Sequence, residues 1–477
     1  MNAPLPLKAA RGADGQPYDK VARAANEVAG RLAQRLASQT QGEVLFSAAD
    51  RGRYATDASI YQVMPIGVFV PRSSDDVKLA LDICRDLKVP VVPRGAGTSQ
   101  CGQTVGAGLV IDHSKHVRQI VHFDAATRTA EVEPGMVLDH LNLALKKLGL
   151  WYPVDVSTSA QATLGGMAGN NSCGSRSIAY GNMVHNVLGA QAWTSDGELH
   201  RFGRFEDCTG AAREIGQRVK ELAAALAPEI DLLWPRMLRR VGGYNLDIFG
   251  NRNERPYTPD GSVNLAQLLV GSEGTLALTR SLTLQLAELP KAKVLGVVNF
   301  PTFYKAMDCA QHIVKLGAGS TLTAVELVDR TMIDLSLQNP AFAPVIRTAV
   351  IGQPDAVLLV EFSGDDKAAL VRKLDELVEL MGDLGLPGSV VRMEDEAPQK
   401  DLWEVRKAGL NIMMSLKGDG KPVSFIEDCA VPLEHLAEYT DALTQVFRRH
   451  GTKGTWYAHA SVGTLHVRPI LDMRSDG

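Results

Sequence analysis

The glycine-rich segment "PRGAGTSQCGQTVG", residues 93–106, constrains the fold more than any other part of the sequence. The apolar run "VPVV" precedes it, the apolar run "LVID" follows soon after it, and no helical pattern begins at its end. A Rossmann loop would carry Gly-x-Gly-x-x-Gly at the start of a helix, whereas Gln100 stands three places after Gly97. A nucleoside-triphosphate loop would end in Gly-Lys-Ser/Thr, and this segment contains no lysine.

The segment instead predicts a strand, a glycine-rich loop and a second strand. Successive backbone N–H groups in such a turn can form an anion-binding concavity, and glycine lets the main chain approach a ligand closely. A pyrophosphate fits this chemistry. The alternative is a tight turn of the sheet that binds nothing, and the segment alone leaves both interpretations open.

Two further glycine-rich segments predict a surface of the same kind. Residues 153–181, "PVDVSTSAQATLGGMAGNNSCGSRSIAYG", place hydroxyls and side-chain amides among their glycines. Residues 268–279, "LLVGSEGTLALT", place small residues and one carboxylate between two apolar, strand-like runs. Loops this long and this polar seldom serve only as connections. Three such segments together predict one large polar ligand.

Composition excludes several classes of function. The chain has 477 residues, 45% hydrophobic and 22% charged, which is typical of a soluble globular protein of about three domains. A net charge of -4 and a pI of about 6.3 make nucleic acid an unexpected partner. No apolar run approaches the roughly 18 to 20 residues of a bilayer-spanning helix. The six cysteines form no Cys-x-x-Cys pair, which argues against an iron–sulfur cluster or a zinc ribbon.

The first residues, "MNAPLPLKAARGADG", lack the continuous apolar core of a secretory signal. The predicted location is therefore the cytoplasm, and a peripheral position at the inner membrane face is the alternative.

Hydrophobic periodicity predicts the domain organisation. Residues from about 19 to 39 have the pattern of an amphipathic helix, so residues 1–46 are expected to form an N-terminal helical arm. From about residue 294 the order becomes β-α-β-β-α-β, with a helical insertion from about 329 to 345. This is the ferredoxin-like pattern, with helices on one face of an antiparallel sheet. The predicted domains are 47–290, which would bind the ligand, and 291–477, which would form a cap.

Several blocks of the sequence resemble the FAD-linked oxidase family. They are "YATDASIYQVMPIGVFVPRS", "VVPRGAGTSQCGQTVG", "STSAQATLGGMAGNNSCGSRS", "RVGGYNLD" and "LLVGSEGTL", and "LWEVRKAG", "FIEDCAVP" and "HASVGTLH" extend the likeness towards the end. The branch in question contains D-lactate dehydrogenases, the glycolate oxidase flavin subunit and D-2-hydroxyglutarate dehydrogenase. The resemblance implies an α+β protein with a two-subdomain FAD-binding domain of the vanillyl-alcohol oxidase type and a substrate cap.

The resemblance also implies which residues bind FAD. The pyrophosphate would be held by Arg94, Gly95, Ala96, Gly97, Thr98, Ser99, Gly102 and Gln103. The flavin would be lined by Ser157, Thr158, Ser159, Thr163, Gly165, Gly166, Asn170 and Asn171, and closed on its other side by Glu273 and Gly274. Some relatives tether FAD through a histidine at the position of Thr98. Threonine cannot form that bond, so the expected FAD is non-covalent.

Three residues near the C-terminus are the expected catalytic group. Arg406 resembles the family's carboxylate-binding arginine; the alternative is an exposed helical arginine. His459 and His466 resemble the family's paired ligands for a divalent metal such as zinc, although Val462 and Thr464 replace the usual Asp and Asn. On one continuous strand these histidines would point to opposite faces, so a break near Val462 is predicted.

A catalytic zinc usually has three protein ligands. The family's third ligand and its base lie in a Gly-Glu-His-Gly stretch further along than Gly477. The expectation is therefore a chain that binds FAD with an incomplete cap and catalytic site, either cut short or belonging to a longer form.

The implied function is an FAD-dependent dehydrogenase that oxidises a D-2-hydroxy acid of the D-lactate, glycolate or D-2-hydroxyglutarate class to the 2-oxo acid. Hydride would pass to the flavin, and electrons would pass on to a quinone, a cytochrome or an iron–sulfur subunit or domain. The alternatives are an oxygen-using flavin oxidase of the same superfamily and a non-catalytic FAD-binding subunit of a larger redox complex. A homodimer is a further expectation that the sequence leaves open.

Overall fold

The described part of the chain is organised around four β-sheets. The computed structural model describes residues 18–250, 253–317 and 321–474. The expectations about the first 15 residues and about the end at Gly477 lie outside these ranges. Within them, no helix is both long enough and apolar enough to cross a bilayer.

The first sheet contains the first glycine-rich segment. Its part of the chain consists of α1 (Tyr18–Gln39), β1 (Glu43–Leu45), α2 (Ala48–Arg53), β2 (Gly67–Val70), α3 (Ser74–Leu87), β3 (Val91–Arg94) and β4 (Leu109–Asp112). The strand order is β1-β2-β4-β3, and β4 pairs parallel to both β2 and β3. Ser73 caps α3 by accepting a hydrogen bond from Asp76 N. The predicted N-terminal helix is α1, and its buried Leu32 and Leu36 pack into the core of this sheet.

The second sheet carries the other two glycine-rich segments. The elements are β5 (Ile120–Asp124), β6 (Thr129–Val132), α4 (Leu138–Lys146), β7 (Leu150–Trp151), α5 (Leu164–Asn170), α6 (Ser177–Tyr180), α7 (Met183–Asn186), β8 (Val187–Trp193), β9 (Leu199–Phe202), α8 (Gly210–Ala225), α9 (Ala227–Leu233), α10 (Ala266–Leu269), β10 (Leu278–Gln285) and β11 (Ala287–Glu288). Strands pair in the order β5-β6-β10-β8-β9, and β11 pairs with β7 in a separate two-stranded sheet. The second segment therefore contains short helices as well as loop.

One prediction for the third segment is wrong. Its first apolar run was expected to be strand-like, but it belongs to the short helix α10. Asn264 Oδ1 accepts a hydrogen bond from Ala266 N at 2.9 Å and thereby opens the helical turn. A short apolar run has the same pattern in a buried helix as in a buried strand, so periodicity could not separate the two.

The cap has the predicted ferredoxin-like core. The elements are β12 (Ala292–Phe300), α11 (Phe303–Val314), β13 (Leu322–Asp329), α12 (Arg330–Gln338), α13 (Ala343–Ala349), β14 (Ala356–Gly364), α14 (Lys367–Asp383), β15 (Val390–Met393), α15 (Glu396–Lys407), α16 (Gly409–Met414), β16 (Lys421–Pro422), β17 (Ile426–Ala430), α17 (Leu436–Arg449), β18 (Gly454–His459) and β19 (Thr464–Leu471). The sheet runs β15-β12-β14-β13-β18-β19-β16, and β17 also pairs with β19. The first four strands are antiparallel neighbours in the order expected for β-α-β-β-α-β.

Helices cover both faces of the cap sheet, whereas the sequence predicted one. Helices α11 and α14 pack on one face, and α12, α13 and α15 pack on the other. The continuous apolar run "AVLLVEF" of β14 already indicates burial on both sides, because a strand with one wet face alternates apolar and polar residues. The second face also carries the few buried charged groups that lie beside the candidate site.

Candidate active site

The three glycine-rich segments line one cavity of about 520 Å³. A cavity of this size is in the range of small-molecule and cofactor sites. Sixteen of the eighteen residues predicted to bind FAD lie in its wall: Arg94, Gly95, Ala96, Gly97, Thr98, Ser99, Gln103, Ser157, Thr158, Thr163, Gly165, Gly166, Asn170, Asn171, Glu273 and Gly274. The predicted catalytic residues Arg406, His459 and His466 line the same cavity.

Two glycines let the three segments approach one another. A Cβ on Gly95 would lie 2.1 Å from Thr163 Oγ1, so the first segment can touch the second only without a side chain at this position. A Cβ on Gly274 would lie 2.4 Å from Pro93 Cγ, and its φ of +73° is also in the left-handed region. The convergence of the three segments therefore depends on residues that no larger side chain could replace without movement.

Arg94 supports the first segment from within. Its guanidinium donates hydrogen bonds to the carbonyl oxygens of Thr56 at 2.9 Å, Tyr54 at 3.2 Å and Thr104 at 3.3 Å. These contacts use the side chain to brace the loop. Any contact of this segment with a pyrophosphate is therefore expected to come mainly from the backbone N–H groups of residues 95–99.

Two predicted FAD residues lie apart from this wall. Of the described residues, Gly102 and Ser159 are outside the lining of the cavity. Gly102 has a φ of +80° and turns beneath Tyr61, whose ring a Cβ would meet at 2.7 Å. The carbonyl oxygen of Ser159 accepts a hydrogen bond from Asp139 N. The geometry gives both residues a local structural role.

Several polar atoms in the cavity wall have no hydrogen-bond partner among the described residues. They are Thr163 Oγ1, Asn171 Nδ2 and His113 Nε2, and all three side chains are buried. A buried polar atom without a partner costs about 1–3 kcal/mol. These atoms therefore fit a polar ligand that supplies the missing hydrogen bonds, as a flavin nucleotide with its ring carbonyls, ribityl hydroxyls and phosphates would.

Strand pairing brings the predicted catalytic residues together. Strand β18 ends at His459, a 3₁₀ turn over Ala460–Val462 and the left-handed Gly463 reverse the chain, and β19 carries His466 back. The predicted break is confirmed. His459 Nε2 lies 3.3 Å from His466 Nε2.

A buried carboxylate organises this cluster. Glu326 lies on β13, directly opposite His459 on β18. Its Oε1 is 2.8 Å from His459 Nδ1, and its Oε2 accepts a hydrogen bond from Arg406 Nη2 at 2.6 Å. Burial raises the pKa of Glu326 to about 7, although the charges of Arg406, His466 and Arg239 act to lower it.

Arg406 is buried, and it projects from the last turn of α15 into the cavity wall. The alternative of an exposed helical arginine is therefore wrong. Its guanidinium lies 5.1 Å from the ring centroid of Tyr457, and its buried Nε has no hydrogen-bond partner among the described residues. Nη2 of the guanidinium therefore contacts Glu326, and Nε beside it is left without an acceptor.

Sequence analysis missed Glu326 and Arg239. Glu326 is the single carboxylate in the middle of the buried run "TAVELVD", and such a position was a signal because charged groups are seldom fully buried without a partner. Arg239 lies next to the quoted motif "RVGGYNLD" and lines the cavity. No spacing in the sequence links either residue to His459.

Tyr244 and Asn245 do not contact the cluster. Asn245 is buried and donates hydrogen bonds to the carbonyl oxygens of Gln267 and Val270, both at 2.9 Å. Tyr244 is half exposed, and its hydroxyl lies 2.8 Å from Thr275 Oγ1. These contacts give both residues a structural role.

Comparison with known families assigns the chain. A model of an FAD binding domain matches residues 65–203, and a model of the C-terminal domain of FAD linked oxidases matches residues 289–477. The chain belongs to the FAD-linked oxidase family. The predicted family and the FAD-binding domain are thereby confirmed.

Curated relatives in this family have related names. D-2-hydroxyglutarate dehydrogenase of Pantoea ananatis is 31% identical over 453 residues, which are 91% of this chain and 43% of that protein. Glycolate oxidase subunit GlcD of Bacillus subtilis is 28% identical over 92% of this chain and 80% of its own length. The FAD-linked oxidase chain described here thus spans less than half the length of the first of these relatives.

Solved structures agree on the fold. The chain superposes on alkyldihydroxyacetonephosphate synthase with a TM-score of 0.65 and 14% identity over 93% of this chain and 81% of that one. It superposes on p-cresol methylhydroxylase with a TM-score of 0.64 and 14% identity over 94% and 83% of the two chains. The predicted α+β fold with a vanillyl-alcohol oxidase-type FAD-binding domain is confirmed.

Proposed function

We propose that this chain is the flavin-bearing part of a dehydrogenase that oxidises a D-2-hydroxy acid to the 2-oxo acid. The observation that carries the proposal is the shared cavity: the FAD-type loops and the cluster of Arg406, His459 and His466 line the same space. The names of the two relatives, D-2-hydroxyglutarate dehydrogenase and glycolate oxidase subunit GlcD, support the substrate class.

The cavity wall fits FAD. Thr163, Asn171 and His113 would donate to or accept from its polar atoms, and the backbone of residues 95–99 would hold its pyrophosphate. When bound, FAD supplies the acceptor for the hydride that leaves the substrate α-carbon. Thr98 offers no group for a covalent tether, so we propose that the cofactor is released on denaturation.

Arg406 would bind and orient the substrate carboxylate. A guanidinium is planar, permanently charged and shaped for two parallel hydrogen bonds to a carboxylate. Because Glu326 holds one Nη atom, the position of the guanidinium is fixed before substrate arrives. The binding of substrate then needs little reorganisation of this side chain.

His459 and His466 would handle the proton of the substrate hydroxyl. An ionised Glu326 accepts a hydrogen bond from His459 Nδ1 and leaves the lone pair of Nε2 directed at His466. This Nε2 can accept a proton, and the neighbouring ring is in reach to share it. Orientation of a histidine base by a carboxylate is a recurrent arrangement in enzymes.

The same two nitrogens could instead hold a divalent metal, which would supply a Lewis acid for the substrate oxygens; this role excludes that of a proton acceptor, because each nitrogen has one lone pair. His459 Nε2 and His466 Nε2 lie 3.3 Å apart, close enough for both to bind one zinc ion. The carboxylate behind His459 is the partner that metal-bound histidines usually have. The described ranges contain no group of three or more His, Cys, Asp or Glu side chains able to hold a metal. We propose His459 and His466 as two ligands of the metal, and the described residues supply no third ligand beside them.

The electron acceptor is proposed to be a quinone, a cytochrome or an iron–sulfur partner. The cytoplasmic location, the alternative position at the inner membrane face, the homodimer and the boundaries near residues 46 and 290 stay predictions. The boundary near 290 is supported by the separate apolar cores on its two sides.

Anaerobic reduction of the bound flavin tests the proposal. The purified chain, loaded with FAD, is mixed with glycolate, both lactates and both 2-hydroxyglutarates, before and after treatment with a chelator. We expect at least one D-acid to bleach the flavin absorption and its L-enantiomer to leave it unchanged. A flavin that none of these acids bleaches would favour the non-catalytic subunit, and rapid reoxidation by air would favour the oxidase. If a hydroxy acid still bleaches the flavin after thorough chelation, the proposal that His459 and His466 bind a metal is refuted.

A further inference from the structure

Arg239 is a second buried arginine in the wall of the active-site cavity. Only 6% of its surface is exposed, and its Nε and Nη1 atoms have no hydrogen-bond partner among the described residues. A buried charge without a partner is strongly unfavourable, and proteins normally compensate it with an ion pair. Arg239 forms no hydrogen bond or ion pair with another described residue and lines the cavity, so an anionic ligand in the cavity is the natural counter-charge.

Arg239 lies near the catalytic cluster. Its charge acts on the carboxyl of Glu326 together with those of Arg406 and His466. Glu326 is already occupied, because its two oxygens contact His459 and Arg406. Arg239 therefore adds a positive charge beside the position proposed for the substrate, and Glu326 does not hydrogen-bond with it.

The charge of the cavity wall supports a second anionic group. Four basic side chains, Arg94, Arg239, Arg406 and Lys407, line the cavity beside one described carboxylate, Glu273. Arg94 is engaged by three carbonyl oxygens, and Lys407 contacts Glu404 at 3.2 Å. Arg239 and Arg406 are the two that combine burial with unpartnered guanidinium atoms. Each can bind one carboxylate.

We infer that Arg239 determines substrate specificity by binding a second carboxylate, so that the chain acts on a dicarboxylic 2-hydroxy acid rather than on a monocarboxylic one. This inference rests on the proposed function. One guanidinium holds the carboxylate next to the reacting carbon, and the other holds the distal carboxylate. A monocarboxylic substrate leaves Arg239 buried and unpaired, which is a penalty against that substrate.

Two measurements on the FAD-loaded chain test the inference. The first is the dissociation constant for glutarate and for butyrate, which cannot be oxidised as 2-hydroxy acids, followed by the change in flavin absorption. The second is the KM for D-2-hydroxyglutarate and for D-lactate. In the wild-type chain we expect glutarate to bind about 100-fold more tightly than butyrate, the loss typical of an unpaired buried charge.

Three variants complete the experiment. Arg239→Met should raise the glutarate dissociation constant and the KM for D-2-hydroxyglutarate about 100-fold. The values for butyrate and D-lactate should fall below those of wild type, because the buried charge that these acids leave unpaired is gone. Arg239→Lys keeps the charge and should recover most of the loss. Arg236→Met removes the same charge from an exposed position three residues earlier and should change nothing.

The outcomes separate this inference from the proposed function. Equal losses for both acids, a shifted flavin reduction potential or weaker FAD binding in Arg239→Met would overturn it, because Arg239 would then serve the flavin. If D-lactate reduces the flavin and glutarate binds no better than butyrate, the inference fails and the proposed function stands. If glutarate binds in an Arg239-dependent way and no hydroxy acid reduces the flavin, the anion site stands and the proposed function fails.

Discussion

Two buried glutamates on neighbouring strands of the cap sheet form different hydrogen bonds with arginine. Glu361 on β14 accepts two hydrogen bonds from Arg176, at 2.8 and 2.7 Å, and a third from Thr323 Oγ1 at 2.8 Å. Glu326 on β13 accepts one hydrogen bond from Arg406 and contacts His459. Both carboxylates are fully buried, so burial alone does not distinguish them.

The difference lies in how completely the arginine is used. Arg176 also donates to Asp155 at 2.7 Å, so its three guanidinium nitrogens all have partners. Burial alone would raise the pKa of Glu361, but Arg176 and Lys293 lower it to about 2. At Glu326 burial dominates, and the pKa rises to about 7. The pair of Arg176 and Glu361, in which every guanidinium nitrogen has a partner, joins the cap to the second glycine-rich segment. The pair of Arg406 and Glu326, in which Nε of the arginine has no partner among the described residues, lies at the cavity and can bind a ligand.

The largest expected effect is on stability. Arg176→Met leaves the buried Glu361 and the partly buried Asp155 without their arginine, and we expect the free energy of unfolding to fall by about 3 kcal/mol. Denaturant unfolding measures it. The control is Arg128→Met, which removes an exposed pair with Glu288 and should cost under about 1 kcal/mol. Equal losses in the two variants would show that the buried pair of Arg176 and Glu361 stabilises the fold no more than an exposed ion pair does.

The next effect is on catalysis. Arg406→Met should lower kcat/KM for the best hydroxy acid about 100-fold, or roughly 3 kcal/mol, because the substrate carboxylate loses its cation. Flavin content should stay at the wild-type level, which separates a loss of catalysis from a loss of folded protein. Lys400→Met on the same helix, at an exposed position, is the control. An Arg406 variant with normal turnover would show that this open guanidinium serves another purpose.

A third prediction concerns acid. The folded-state pKa of Glu361 is about 2, below its ordinary value of 4.5. The stabilisation of the folded state by the Glu361 carboxylate is therefore fully present above the ordinary pKa and is lost as the pH falls towards 2. Between about pH 5 and 3 this loss should reach about 2 kcal/mol. Between about pH 5 and 3 the free energy of unfolding of wild type should fall by about 2 kcal/mol more than that of Glu361→Gln, and parallel curves would contradict the ion pair of Arg176 with Glu361.

The smallest expected effect is on FAD affinity, and it concerns a neutral hydroxyl without a hydrogen-bond partner in place of an arginine. Thr163 Oγ1 is buried in the cavity wall with no hydrogen-bond partner among the described residues, so the cofactor is expected to provide one. Thr163→Val should weaken FAD binding about 5-fold, or roughly 1 kcal/mol, as measured by flavin fluorescence titration. Thr444→Val is the control, because its hydroxyl already donates to Thr440 O at 2.8 Å. Identical FAD affinity in both variants would place Thr163 outside the cofactor site.

The sequence predicts the local features of this site well. The loop at 93–106, the hydroxyl- and amide-rich segment around Thr163 and the turn between His459 and His466 depend on short-range patterns of glycine and polar residues. The sequence also predicts that these segments line one cavity, because three polar, glycine-rich segments in one chain favour one large ligand.

The partners of Glu326 were not predictable in the same way. Glu326 and His459 are 133 positions apart, and only the pairing of β13 with β18 makes them neighbours. Arg239 was equally hidden, since its loop has no periodicity that reports burial. The helical α10 was missed because a short apolar run does not distinguish a strand from a helix. The second covered face of the cap sheet was missed although the continuous apolar run of β14 indicates it.

FAD reconstitution tests the central claim most directly. The purified chain is denatured, freed of small molecules, refolded and titrated with FAD while flavin fluorescence and visible absorption are recorded. The account predicts one FAD bound per chain, released again on denaturation, with a spectrum that a D-2-hydroxy acid bleaches without air. A preparation that stays colourless after incubation with excess FAD would contradict it.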